Sequence, residues 1–302
     1  MTVTTGARRF SGVNLLIFLL GMTAIALLLF PTAANWLSTI HHDEANARYT
    51  QQVTGHRESG AVDRLLAEAE AYNAALPTGQ LRDPYTTTST APGLDPARYA
   101  AQLDLGADGV VARVRYPRLG IDLPVYLGTG ADVLRKGVGH LFGSSLPVGG
   151  ASTHSVLTAH SGAPYATLFD PIHDARPGDL ITVEVGDRRL VYRVTGTETV
   201  RPDDTSSLGI QPGTDLLTLL TCTPIGVASH RLLVHAERVP DDEPAAERVE
   251  LDREPGAGLL EAVLTACWMP AALVAAAGLW SLVPPVRTRR RGGTGDEPQA
   301  EP

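Results

Sequence analysis

The sequence predicts a mainly β external domain, carried on an N-terminal helical extension and flanked by two transmembrane helices. Three observations lead there. Beyond Ala101, short runs rich in Val, Ile, Leu, Tyr and Thr alternate with Gly, Pro and Asp clusters, the pattern of an all-β barrel or sandwich. Before Pro77, apolar residues recur at spacings of three and four, the pattern of a helix. Near each end lies an apolar run long enough to cross a bilayer. Hydrophobic residues make up 43% of the 302, yet mean hydropathy is +0.00, so the apolar residues are concentrated rather than spread.

In chain order, residues 1–12 form a short N-terminus with Arg8 and Arg9, and residues 13–30 (VNLLIFLLGMTAIALLLF) carry no charge. Basic residues before this run and Asp43 and Glu44 after it place the N-terminus in the cytoplasm. A cleaved signal peptide also has a basic start and an apolar stretch, but its apolar part spans only about 7–15 residues, so an uncleaved anchor fits this run better. Residues 31–80 are the helical extension. In ESGAVDRLLAEAEAYNAAL, Val62, Leu65, Leu66, Ala69 and Tyr72 share one face, with Pro77, Thr78 and Gly79 as the stop. Of its histidines, His41, His42 and His56 are expected in solvent. Residues 81–96 are rich in Pro, Thr and Asp and lack periodicity.

Residues 97–240 hold the strand-like runs. In VEVGDRRLVYRV, a Gly-Asp pair between alternating runs predicts a hairpin. Residues 241–258 are an acidic, Pro-containing linker. The segment 259–283, with the apolar run Ala262–Val283, is the second membrane helix, with Trp268 and Trp280 suited to the interfacial belts. The tail 284–302 opens with Arg287, Arg289, Arg290 and Arg291, which puts this end in the cytoplasm too. The expectation is a two-pass cell-membrane protein with its β domain outside.

A net charge of -8 leaves no basic surface for nucleic acid. There are two cysteines. Cys267 falls within the second apolar run and Cys222 in the external domain, so they are not expected to approach within the roughly 7 Å between Cα atoms that a disulfide requires. An unpaired thiol in an exported domain points to reactivity.

Cys222 closes the run TLLTC, His160 ends SVLTAH, and Arg231 opens RLLVHAERV. A thiolate attacks carbonyls but is scarce at a free-thiol pKa of about 8.5, so a neighbouring base or cation must make it available. A histidine can protonate a leaving amine and later deprotonate an incoming one. A guanidinium can hold a developing oxyanion. On position alone, Cys222 could equally be an inert buried thiol and Arg231 a surface charge. His140, His154, His173, His230 and His235 compete with His160.

The stretch from Val111 to Val239 resembles a sortase domain. GVGHLFGSSLPVGGASTHSVLTAHSG (Gly137–Gly162) resembles the family's approach to its catalytic histidine. LLTLLTCTP resembles the TLxTC signature, through Thr218, Leu219, Thr221 and Cys222, and HRLLVHAERV resembles the strand carrying the catalytic arginine. The resemblance implies an eight-stranded β-barrel and a cysteine transpeptidase, with catalytic Cys222, His160 and Arg231 and with Thr221 and Leu219 as substrate-binding residues. Such an enzyme cleaves a Leu-Pro-x-Thr-Gly-type sorting signal between Thr and Gly through a thioacyl intermediate. No metal or other cofactor is implied. His230 stands where many relatives carry Thr or Tyr.

Two features resemble the pilin-polymerising class C group: the second membrane segment, and Asp83-Pro84-Tyr85, similar to that group's lid. There the carboxylate pairs with the catalytic arginine and the ring covers the thiol. The implied partners are pilin or surface-protein precursors with a C-terminal sorting signal, and an amine acceptor, a pilin lysine. Attachment to a cell-wall precursor, hydrolysis with water, and a non-catalytic tethered scaffold are the competing readings. Nothing in the sequence demands more than a monomer.

Overall fold

The strand-like runs close into an eight-stranded barrel. A computed structural model describes residues 12–77, 81, 83–85 and 94–240, all within the first of the two units, Met1–Gly258, into which the chain divides. The expected second membrane helix, the acidic linker, the basic tail and most of the segment 81–96 lie outside the described residues.

The strands are β1 (Val110–Tyr116), β2 (Ile121–Leu127), β3 (Val138–His140), β4 (Thr153–Thr158), β5 (Leu180–Val185), β6 (Arg188–Val200), β7 (Asp215–Thr223) and β8 (His230–Arg238). Their order around the barrel is β1-β2-β3-β4-β7-β8-β6-β5. The β2–β3 and β4–β7 pairs are parallel. The predicted hairpin is present: Val185 pairs with Arg188 around Gly186, whose φ of 57° suits a two-residue turn.

Side chains alternate between the two faces of each strand. One face of β4, β7 and β8 sends Leu157, Leu217, Leu219, Leu232 and Val234 into the barrel core. The other face is also covered, because Val156, Leu220 and Leu233 cluster with Leu141, Val200 and Leu208. Leu81 and Tyr85 pack against this second, outer cluster. By strand parity Cys222 and Arg231 belong to the outer face as well.

The first helix, α1, runs without interruption from Gly12 to Arg57, with Pro31 inside it. The sequence reading divided this stretch at residue 30. Proline costs a helix one backbone hydrogen bond, but the residues beyond it are held by packing. Ala45, Tyr49 and Val53, one helical face, are buried with Ala107, Val110 and Tyr126. Tyr49 Oη donates to the Val111 carbonyl at 2.9 Å and accepts the Gly186 N–H at 2.8 Å. His42 corrects its expectation: it is buried, at 7% exposure, where α1 meets the barrel.

The second helix, α2 (Ala61–Ala74), buries Val62, Leu66, Ala69 and Tyr72 as its spacing predicted. Asn73 Nδ2 donates to the Leu146 carbonyl at 3.0 Å and Asn73 Oδ1 accepts the Leu146 N–H at 2.7 Å, as a neighbouring strand would. A short helix, α3 (Pro96–Ala100), is capped by Asp95 and carries the buried Tyr99. Tyr99 Oη sits within 2.9 Å of both His140 Nδ1 and the Gly128 N–H, tying α3 to β3.

Candidate active site

Cys222 and Arg231 are directly paired residues of the antiparallel strands β7 and β8. On a shared face, side chains opposite each other in such a pair are neighbours. His160 lies two residues beyond the end of β4, which runs parallel to β7 in the register Thr158↔Leu220. Ser161 Oγ donates to the Cys222 carbonyl at 2.6 Å, so the histidine's own segment is fastened to the cysteine's backbone. Three residues 62 and 71 positions apart are thereby gathered at one end of the barrel.

Residues 83–85 lie over this end. Asp83 accepts two hydrogen bonds from Arg231, 2.7 Å from Nε and 2.9 Å from Nη2. This fork-to-fork arrangement is the strong form of an ion pair. Both partners are buried, Asp83 at 6% exposure and Arg231 at 8%, so Arg231 is not an ordinary surface charge. Its Nη1 donates to the carbonyls of Ala228 and His230, each at 3.1 Å. Tyr85 Oη donates to the Ala159 carbonyl at 2.7 Å and accepts from Thr158 Oγ1 at 2.9 Å. Its ring lies 4.9 Å from the Arg231 guanidinium carbon and 5.7 Å, centroid to centroid, from the His160 ring.

The electrostatics follow from this cover. Burial pushes the Cys222 thiol above its ordinary value; Arg231 opposes the shift, Asp83 adds to it, and a hydrogen bond with Tyr85 opposes it. Burial also pushes His160 down. Arg231 is held still more firmly protonated, chiefly by its bonds to Asp83. In this arrangement both the thiol and the imidazole are neutral at neutral pH, and the guanidinium is occupied by a carboxylate.

Leu219 and Thr221, expected to bind substrate, are both fully buried at 0% exposure. Leu219 is part of the barrel core. Thr221 Oγ1 donates to the Ala159 carbonyl at 2.7 Å, which helps set the backbone leading into His160. The competing histidines have other places: His140 and His154 are buried, the latter bonded to Thr218 Oγ1 at 2.7 Å. His173 Nε2 lies 3.3 Å from Thr223 Oγ1, and sequence reasoning missed the roles of Thr158 and Ser161. No pattern marks such hydroxyl contacts, because they depend on which strands become neighbours. Among the described residues, no group of three or more His, Cys, Asp or Glu side chains could hold a metal ion.

A closed barrel with a strand-paired Cys and Arg at one rim, and a His fastened beside them, is the framework of a cysteine transpeptidase. The Sortase domain model matches residues 114–239, and the chain belongs to the sortase family. It is 46% identical to the crystal structure of sortase C-1 from Actinomyces oris, covering 59% of this chain and 98% of that one, with a TM-score of 0.56. It is 38% identical to the pilus-related sortase C of Group B Streptococcus, covering 60% and 90%, with a TM-score of 0.53. Sortase D of Bacillus subtilis is 28% identical over 161 residues, 52% of this chain and 78% of that protein. The structural likeness is to class C sortases.

Proposed function

We propose that the chain is a membrane-anchored transpeptidase that joins pilin subunits, with Cys222 as nucleophile, His160 as acid and base, and Arg231 as oxyanion-side cation. The observation that carries this reading is the cover itself. Asp83 occupies Arg231 through both oxygens while Tyr85 lies against Arg231 and His160. A carboxylate on a guanidinium stands where a substrate carbonyl would be held, so residues 83–85 act as a lid closed over the site. The relative named as a pilus-related sortase C supports the choice of substrate.

When the lid opens, Arg231 is released to the substrate and Cys222 loses the carboxylate that disfavours its thiolate. His160 takes the Cys222 thiol proton, the resulting thiolate attacks the Thr carbonyl of a Leu-Pro-x-Thr-Gly-type signal, and Arg231 stabilises the charge that gathers on its oxygen. The Thr–Gly C–N bond breaks as His160 gives a proton to the leaving amine, leaving a thioester on Cys222. A pilin lysine amine then attacks the thioester, gives a proton to His160, and expels the thiolate as an isopeptide bond forms. The apolar run 13–30 anchors the enzyme. Residues 97–240 are the catalytic domain, and 241–258, 259–283 and 284–302 are linker, second membrane helix and cytoplasmic tail. Both termini lie in the cytoplasm.

The test is intact mass of the full-length protein in detergent after incubation with a Leu-Pro-x-Thr-Gly peptide. An acyl adduct is expected that is absent in Cys222→Ala and more abundant in Asp83→Ala and Tyr85→Ala. Release of the adduct by a lysine-bearing pilin peptide faster than by water separates transpeptidation from hydrolysis. No adduct in the folded wild type or in either lid variant overturns the reading.

A further inference from the structure

Among the described residues, the exposed large apolar side chains fall in two places only. One is α1, from Leu16 to Leu37; the other is the β7–β8 loop, with Ile225 at 50% and Val227 at 69% exposure. The two places lie at the same end of the barrel. Asn35 Oδ1, on α1, accepts hydrogen bonds from the Thr167 N–H at 2.8 Å and from Thr167 Oγ1 at 2.7 Å. Thr167 belongs to the connection that leaves His160 and begins with Gly162. A Cβ on Gly162 would lie only 2.9 Å from Ile225 Cγ2, so the isoleucine rests on that glycine.

The helix supplies a height scale. Asn35 lies five residues beyond Phe30, the end of the uncharged run, about 7.5 Å along the axis. The polar layer of a bilayer is about 5–7 Å deep on each side. With the run 13–30 spanning a bilayer upright, Thr167 would be held at the outer edge of the headgroups. Trp36, 49% exposed, stands at the same level, the usual place for an interfacial tryptophan. The opposite end of the barrel, where Gly186 meets Tyr49, lies about 29 Å along the helix from Phe30.

We propose that the active-site end of the barrel rests on the bilayer, with Ile225 and Val227 entering the lipid headgroup layer, so that the site beneath residues 83–85 is held at the membrane surface. This goes beyond the transpeptidase reading and rests on its anchor, not on its chemistry. The occupant is lipid rather than a protein partner. The end of the α1 patch, at Trp36 and Leu37, adjoins Asn35 and so lies at the loop's end of the barrel, and the patch belongs to a helix apolar enough to cross a membrane, with none of its apolar window buried in the protein.

The test uses the full chain in phosphatidylcholine–phosphatidylglycerol vesicles, with both native cysteines replaced by alanine and one new cysteine carrying the NBD fluorophore. Labels are placed by Val227→Cys and Ile225→Cys in the loop, by Asp187→Cys at the far end of the barrel, and by Leu28→Cys in the anchor. Headgroup-nitroxide lipids are expected to quench the labels at 225 and 227 several-fold more strongly than the label at 187. Acyl-chain nitroxides should quench the label at 28. Quenching at 28 with 225 and 227 no different from 187 overturns the proposal and leaves the anchor standing. Loop labels shielded from water but not quenched by lipid overturn it in favour of a protein partner. Absence of quenching at 28 overturns anchor and proposal together.

Discussion

Asp83 and Arg231 meet across 148 residues of chain as a two-point ion pair, at 2.7 and 2.9 Å, with both side chains buried. A surface pair of this kind contributes little. A buried one is costly to break, because removing one partner leaves a charge out of water, at about 3–5 kcal/mol when that charge stays buried. With Asp83 removed, lifting of residues 83–85 lets water reach Arg231 and relieves that cost.

Exposure of Cys222 should follow. Asp83→Ala and Tyr85→Ala are expected to speed alkylation of Cys222 by iodoacetamide on the order of tenfold, equivalent to about 1.4 kcal/mol in the opening equilibrium. The check is the pseudo-first-order rate by mass spectrometry, with melting temperature recorded alongside. Unchanged rates in both variants contradict a closed cover.

The pH dependence of that alkylation has a definite sign. The thiolate is the reactive form, and burial raises the Cys222 pKa, so the wild-type profile should lie to the alkaline side of a free thiol at about 8.5. Asp83 is one of the groups raising it, so Asp83→Asn should move the midpoint to lower pH. For stability, a thiol raised on folding contributes a preference for the folded state below the unfolded-chain pKa. That contribution is lost as pH rises through the folded value. His160, lowered on folding, contributes above its unfolded value, and its share is lost as pH falls towards the folded one.

Tyr99→Phe tests the joint between α3 and the barrel. The hydroxyl accepts the Gly128 N–H and lies 2.9 Å from the buried His140 Nδ1. Its loss strands polar groups in the interior, at roughly 1–3 kcal/mol for each group left unpaired. A destabilisation of about 2 kcal/mol or more is expected in urea unfolding. A change below about 0.5 kcal/mol, typical of a surface substitution, would show the joint to be slack.

Gly139→Ala tests the parallel β2–β3 contact. An added Cβ would collide with the Gly128 carbonyl oxygen and press on Leu134. Backbone cannot rotate aside as a side chain can, so the overpacking cost of about 1–3 kcal/mol should be felt in full. Loss of thermal stability without a change in the Cys222 alkylation profile is the expected result.

Much of this was legible before any coordinates. The strand segments showed through composition and punctuation, the β5–β6 hairpin through its Gly-Asp pair, and α2 through the spacing of Val62, Leu66, Ala69 and Tyr72. The segments carrying Cys222, His160 and Arg231 stood out through motif resemblance. These are local signals, since residue type and near-neighbour spacing settle them.

Less was legible wherever distant segments meet. The run LLTLLT in β7 is apolar on both faces because one face fills the barrel and the other lies under Leu208 and the lid. Alternation therefore could not reveal that Leu219 points inward or that Thr221 is buried. His42 read as solvated because nothing in its own helix indicates that the distant segment carrying Lys136 packs beside it. The sequence alone determined which segments become strands and helices, and which residue types could do the chemistry. Only the tertiary structure decided that Cys222 faces Arg231, that Asp83 occupies Arg231, and that Asn35 is bonded to Thr167. Those relationships arise from strand register and barrel closure, which bring together residues up to 148 positions apart and leave no mark in local spacing.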